Sequence, residues 1–233
     1  MGENVEFACP NGSTAGGYLA PAASGKGPGV LVIQEWWGLV PQIKGVADRL
    51  AAEGFTALAP DLYHGEAAGH TEMDKAGQLM STLPPDRAAN DMAGAVHYLL
   101  GHDAATGKAV GVVGFCMGGM LTWVIAALQG DKVAAGVSYY GAPLDPSSAP
   151  DWNGLTAPIL AHVAENDSFF APPAIEGLAD TLRGMGKDVT VEVYPGTGHA
   201  FANEEDAMHT YDAKAADLAW GRTLDFLRSH LGA

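Results

Sequence analysis

The chain has 233 residues, with 27 acidic against 12 basic, and its net charge of −15 with no basic cluster makes nucleic acid and anionic membranes poor partners. No apolar run approaches the roughly eighteen residues of a membrane span, and residues 1–20 have neither the basic start nor the apolar segment of a signal peptide. The length fits a single α/β domain over 1–233 that folds without staples, and the two distant cysteines, Cys9 and Cys116, suit the reducing cytoplasm.

Taken in order, residues 5–9 and 14–19 flank Asn11-Gly12 and predict an antiparallel hairpin at one sheet edge. Residues 29–34 (GVLVIQ) predict a buried strand, followed by Val40, Ile43, Val46, Ala47 and Leu50 at helical spacing. A strand over 55–59 ends at Pro60-Asp61-Leu62. Residues 63–85 are the least regular, with a short helix about 72–80, and Asp86 is placed to cap the helix carrying Met92, Ala95, Val96 and Leu99. Strands follow over 109–115, 133–141, 159–164 and 189–194. Helices are expected from Met117, over 174–185, and over about 204–230. Strands alternating with helices mean a mostly parallel twisted sheet covered on both faces, with an antiparallel edge from the hairpin.

The most informative stretch is Gly111 to Met120, GVVGFCMGGM. A strand, one reactive residue with glycines two positions to either side, then a helix, is the layout of a nucleophile elbow. Small neighbours are needed there because the tight turn strains the central residue. Cys116 would stand at the N-terminus of its own helix, whose partial positive charge favours a thiolate. The plainer alternative is a core cysteine beside a strand-to-helix turn. The glycines at 111, 114, 118 and 119 miss the spacing of a dinucleotide-binding loop.

Ligands in such sheets bind at the carboxyl ends of the strands. The polar residues just past those ends are Glu35, Cys116, Asp167 (with Glu165 as its alternative) and His199. The order Cys116, Asp167, His199 is the chain order of α/β-hydrolase triads. A thiol of pKa about 8.5 needs a base or a positive field at neutral pH. His199 is the candidate base, Asp167 the group that orients its imidazole, and the backbone N–H groups of Met117 and Trp36 the oxyanion donors. Asp167 also reads as a helix cap, Trp36-Trp37 as core aromatics, and His162, inside a strand, as core. A carboxylate directly after a buried strand is costly, so Glu35 is either paired structurally or set against the thiol.

Gln34-Glu35-Trp36-Trp37-Gly38, Pro60-Asp61-Leu62-Tyr63, Gly114-Phe115-Cys116-Met117-Gly118-Gly119, Tyr139-Tyr140-Gly141, Asn166-Asp167 and Gly198-His199-Ala200-Phe201-Ala202 together resemble the dienelactone hydrolase family, in order over nearly the whole chain. The resemblance implies an α/β-hydrolase fold and a Cys116–His199–Asp167 triad. It also implies that Glu35 keeps the resting thiol protonated and takes its proton when substrate displaces it. The thiolate then opens a lactone or ester to give an acyl-enzyme that water releases. The founding type of the family holds the carboxylate of its anionic dienelactone with two arginines. One stands four residues after the histidine, where this chain has Asn203; the other lies in the segment after Pro-Asp-Leu-Tyr, where residues 63–85 hold only Lys75. Asparagine supplies no charged fork, and it leaves Glu35 without the arginine that would receive it.

Around this site Trp36, Trp37, Tyr63, Phe169, Phe170 and Phe201 are expected to form an apolar pocket, with Asn203 at the substrate. The expected substrate is a small neutral or weakly charged ester or lactone with an apolar body, handled by a monomer or small homo-oligomer. No cofactor is needed, and no metal-ligand spacing is present. Two alternatives are a thioesterase or acyl-transferring relative, and a non-catalytic α/β-hydrolase shell that serves as a ligand receptor. The intact set of Cys116, Asp167 and His199 argues against the receptor.

Overall fold

Asn11-Gly12 turns the chain back on itself with Gly12 at φ +86° and the Cys9 N–H donating to the Ser13 carbonyl. The computed structural model describes residues 2–232. Its strands are β1 (Glu3–Ala8), β2 (Thr14–Ala20), β3 (Gly27–Ile33), β4 (Thr56–Pro60), β5 (Ala105–Phe115), β6 (Val133–Tyr139), β7 (Ile159–Ala164) and β8 (Val189–Tyr194). They form one sheet in the order β1-β2-β4-β3-β5-β6-β7-β8. The pairs β1–β2 and β2–β4 are antiparallel and the remainder parallel. The chain steps from β3 to β4 on one side and to β5 on the other. That reversal opens a crevice at the carboxyl ends of β3 and β5.

Alternate residues of each central strand supply two cores. Leu31, Ile33, Val112, Ile159 and Val163 face one side, and Val30, Val32, Val113, Phe115 and Leu160 the other. Helices are α1 (Pro41–Ala52), α2 (Met73–Thr82), α3 (Pro85–Gly101), α4 (Met117–Gln129), α5 (Pro172–Gly184) and α6 (Ala213–Leu231). Met92, Ile125 and Ile175 bring α3, α4 and α5 onto the first face, while Ile43, Leu50, Leu224 and Leu227 bring α1 and α6 onto the second. No helix among the described residues is long and apolar enough to cross a membrane.

Several boundaries depart from the sequence reading. α6 begins at Ala213, not near 204, because Asn203 and Asp206 accept the N–H groups of Glu205 and Tyr211, and Asp212 caps the helix at Ala215. Such local bonds offer the backbone an alternative to helix. Asp86 is not a cap, since α3 starts one residue earlier at Pro85, a residue suited to the first helical position. β5 starts at Ala105, four residues early, with Gly107 at φ +94° and a register shift against β3 between Pro28 and Val30. The glycine and the shift hide the extra strand from a pattern search.

Candidate active site

Cys116 stands between β5 and α4 at φ 53° and ψ −112°, a conformation that a non-glycine residue adopts only under constraint. The constraint is close packing. A Cβ on Gly114 would strike the Gly118 carbonyl, and one on Gly118 would strike the Ile33 carbonyl. The turn is fixed by the Cys116 N–H donating to Tyr139 (3.0 Å) and the Met120 N–H donating to the Cys116 carbonyl (3.0 Å). The backbone N–H groups of Met117 and Trp36 both act on the sulfur and favour its anion. They do not prevail. Burial first, and the Glu35 carboxylate second, hold the thiol far above the ordinary cysteine range. Desolvation thus opposes the thiolate that the helix N-terminus favours.

His199, in the turn after β8, is buried with its Nδ1 2.8 Å from Asp167 Oδ2. Asp167, just past β7, also accepts the N–H groups of Phe169 (2.8 Å) and Phe170 (2.9 Å) through its other oxygen. It thus orders its own loop as well as the imidazole. Glu165 is exposed and accepts the Gly196 N–H. Phe170 stacks on the His199 ring and Phe169 leans on it, at centroid distances of 5.8 and 4.9 Å. Tyr140 completes the surround at 5.2 Å.

Glu35 is fully buried beyond β3, and burial raises its pKa despite four partners, Trp37 among them, that oppose the shift. Asn203 Nδ2 donates to Oε2 at 2.8 Å and the Tyr140 hydroxyl to Oε1 at 3.2 Å. The His199 charge acts in the same sense. Asn203 therefore takes the receiving place that the sequence reading left vacant, with its Nδ2 bonded to Glu35. Tyr140 enters the sequence reading only within the motif Tyr139-Tyr140-Gly141 and without a site role, because the strand expected over 133–141 places it inside the sheet. β6 ends one residue before it, and Tyr140 itself has φ 39°.

Cys116, His199 and Trp36 line two connected features. One is a small notch that also involves Glu35, Trp37 and Asn203. The other is a cleft of about 440 Å³ walled by Met80, Met117, Met120, Phe169, Phe170 and Met208. Two expected pocket residues, Phe201 and Tyr63, are corrected. Phe201 has no exposure and packs on Tyr140 and Tyr194. Tyr63 is buried, and its hydroxyl donates to the Trp36 carbonyl (3.1 Å), so it supports the loop and does not wall the cleft. Trp37 is nearly fully buried and reaches only the notch. Among the described residues no Arg or Lys lines either space. Arg87, just past the segment 63–85, donates to the Leu62 carbonyl. His162 is core as expected: it bonds Thr223 and Tyr194, and burial, with Arg222 adding, lowers its pKa to about 3.

The sequence matches the model of the dienelactone hydrolase family over residues 15–231. The chain belongs to that family. Protein usf of Aquifex pyrophilus is 38% identical over 99% of this chain and all of its own length. An Aquifex aeolicus protein named "Putative carboxymethylenebutenolidase" is 37% identical over 99% of the chain and all of its own. Among solved structures, the "Putative Dienelactone Hydrolase" of Klebsiella pneumoniae superposes with a TM-score of 0.83 at 26% identity, covering 97% of this chain and 98% of that one. The protein is thus a hydrolase of the dienelactone hydrolase type on an α/β-hydrolase fold. In this dienelactone hydrolase relative, Asn203 is bonded to Glu35, and no Arg or Lys lines the cleft among the described residues.

Proposed function

We propose that the protein hydrolyses neutral esters or lactones with an apolar body through an acyl-enzyme on Cys116. The observation that carries this reading is a strained-turn cysteine opening into the same cleft as a histidine already paired, at 2.8 Å, with a buried aspartate. Substrate entering the cleft brings an electrophilic carbonyl carbon to Sγ. The thiol proton passes to His199, whose positive form Asp167 steadies, and the S–C bond forms as the carbonyl oxygen takes up charge. The N–H groups of Trp36 and Met117 receive that oxygen. The C–O bond then breaks, and the proton on His199 goes to the leaving oxygen. Water, deprotonated by the same imidazole, attacks the thioester, giving the free acid and restoring the thiol. Glu35, held by Asn203 and Tyr140, keeps the resting sulfur protonated.

The absence of a cation along the cleft argues for a neutral substrate, because a carboxylate buried there would lack a partner. The test compares 4-nitrophenyl acetate, dihydrocoumarin and dienelactone with the wild type and Cys116→Ala. The expected result is a preference for the neutral compounds and a loss of about 10⁴-fold or more in kcat on substitution. Undiminished turnover by Cys116→Ala would overturn the mechanism, and a large preference for dienelactone would overturn the substrate class.

A further inference from the structure

Beyond the cleft lies a second space that the proposed reaction does not use. This chamber of about 410 Å³ sits between α3 and α4, where Ala89, Met92 and Val124 line it. Met80 of α2 and Met117 and Met120 of α4 border both the chamber and the cleft. Among the described residues no charged side chain lines the chamber. The cleft alone is already within the size range that holds a small ligand, so a compact lactone leaves the second space unfilled.

We propose that the chamber is an acyl-chain subsite that takes an unbranched saturated alkyl chain. The proposal rests on Cys116 as nucleophile and His199 as proton donor, and the direction of the chain follows from those roles. The reacting carbon carries three substituents. Its oxygen goes to the N–H groups of Trp36 and Met117. The leaving oxygen must lie within reach of His199, on the side walled by Phe169 and Phe170, and none of these three residues borders the chamber. The acyl chain takes the remaining side, toward Met117 and Met120. The three bordering side chains are methionines, unbranched and adaptable, and they yield to a flexible chain more readily than branched residues do. A terminal carboxylate on the chain would meet no cation in the chamber, so esters of simple monocarboxylic acids fit and half-esters of diacids do not.

The test measures kcat/KM for 4-nitrophenyl acetate, butyrate, hexanoate and octanoate, each below its solubility limit, alongside acetate esters whose alcohol chain is lengthened instead. Lengthening the acyl chain should raise kcat/KM about two- to fourfold per methylene, the upper figure being full burial of each CH₂. Lengthening the alcohol should raise it less. In Ala89→Phe and Val124→Phe, which fill the chamber from opposite helices, the octanoate-to-acetate ratio should fall at least tenfold. Because this is a ratio within one preparation, a change in folded fraction cancels. A flat acyl-length profile in the wild type, a ratio that both variants leave as it was, or 4-phenylbutyrate outrunning hexanoate would overturn the alkyl subsite while leaving the nucleophile in place. Turnover of the acetate ester persisting in Cys116→Ala would instead remove the reading on which the subsite rests.

Discussion

The sulfur of Cys116 is kept neutral by burial and by the Glu35 carboxylate, and two backbone N–H groups favour its anion without prevailing. Glu35 is thus the residue whose removal most clearly separates protection from activation. Glu35→Gln takes away the opposing charge and lowers the thiol pKa. Iodoacetamide at pH 7.5 should then label Cys116 faster in the variant than in the wild type, read by peptide mass; slower labelling would contradict the role given to Glu35. The same substitution has a signature in stability. Folding raises the Glu35 pKa above its ordinary 4.5, so the folded chain holds that proton more tightly than the unfolded chain. The resulting penalty is absent below about pH 4.5 and grows as pH rises toward the folded value. The Tm of Glu35→Gln should therefore gain on that of the wild type as pH rises above about 4.5.

At the scale of elements, the turn from β5 into α4 depends on Gly114 and Gly118 more than on the helix it opens. A methyl group at Gly118 meets the Ile33 carbonyl, which is backbone and has little room to move. Gly118→Ala should cost about 1–3 kcal/mol or more in urea unfolding, and unaltered stability would contradict the packing described. This turn was legible in the sequence because its requirement for small residues is written as glycines, just as the Asn11-Gly12 hairpin and the alternation in β8 are. Asp167 and His199 were legible too, since each lies just beyond a strand that the pattern located. The start of α6 was not, because Asn203 and Asp206 fix the preceding turns through side-chain bonds that periodicity does not register. Nor was the wall of the cleft. Phe170 and Phe201 look alike as residues, and only the tertiary packing sets one against His199 and the other in the core. Tyr140 was missed because β6 ends two residues short of the expected 141.

Across the whole molecule, the buried His162 ties β7 and β8 to α6 through Tyr194 and Thr223. Its pKa falls from 6.5 to about 3, chiefly through burial. The unfolded chain therefore takes up this proton first as pH falls. The stability is fully present above about pH 6.5 and is lost progressively toward pH 3, a loss of several kcal/mol by linkage. His162→Gln, which does not titrate, should lose less stability than the wild type between pH 7 and pH 4 in urea unfolding. Identical pH slopes would contradict the assignment.

The proposed chemistry converges on one bond, the thioester between Cys116 and the acyl group. The most direct measurement is the mass of the protein after acid quenching within the first turnovers on a 4-nitrophenyl ester, followed by peptide mapping. The account predicts a gain equal to the acyl group on the peptide containing Cys116, in His199→Ala as well as in wild type if a slow ester is given time to accumulate, and none in Cys116→Ala. An acyl group found on another residue, or hydrolysis proceeding without any adduct while Cys116→Ala stays active, would contradict it.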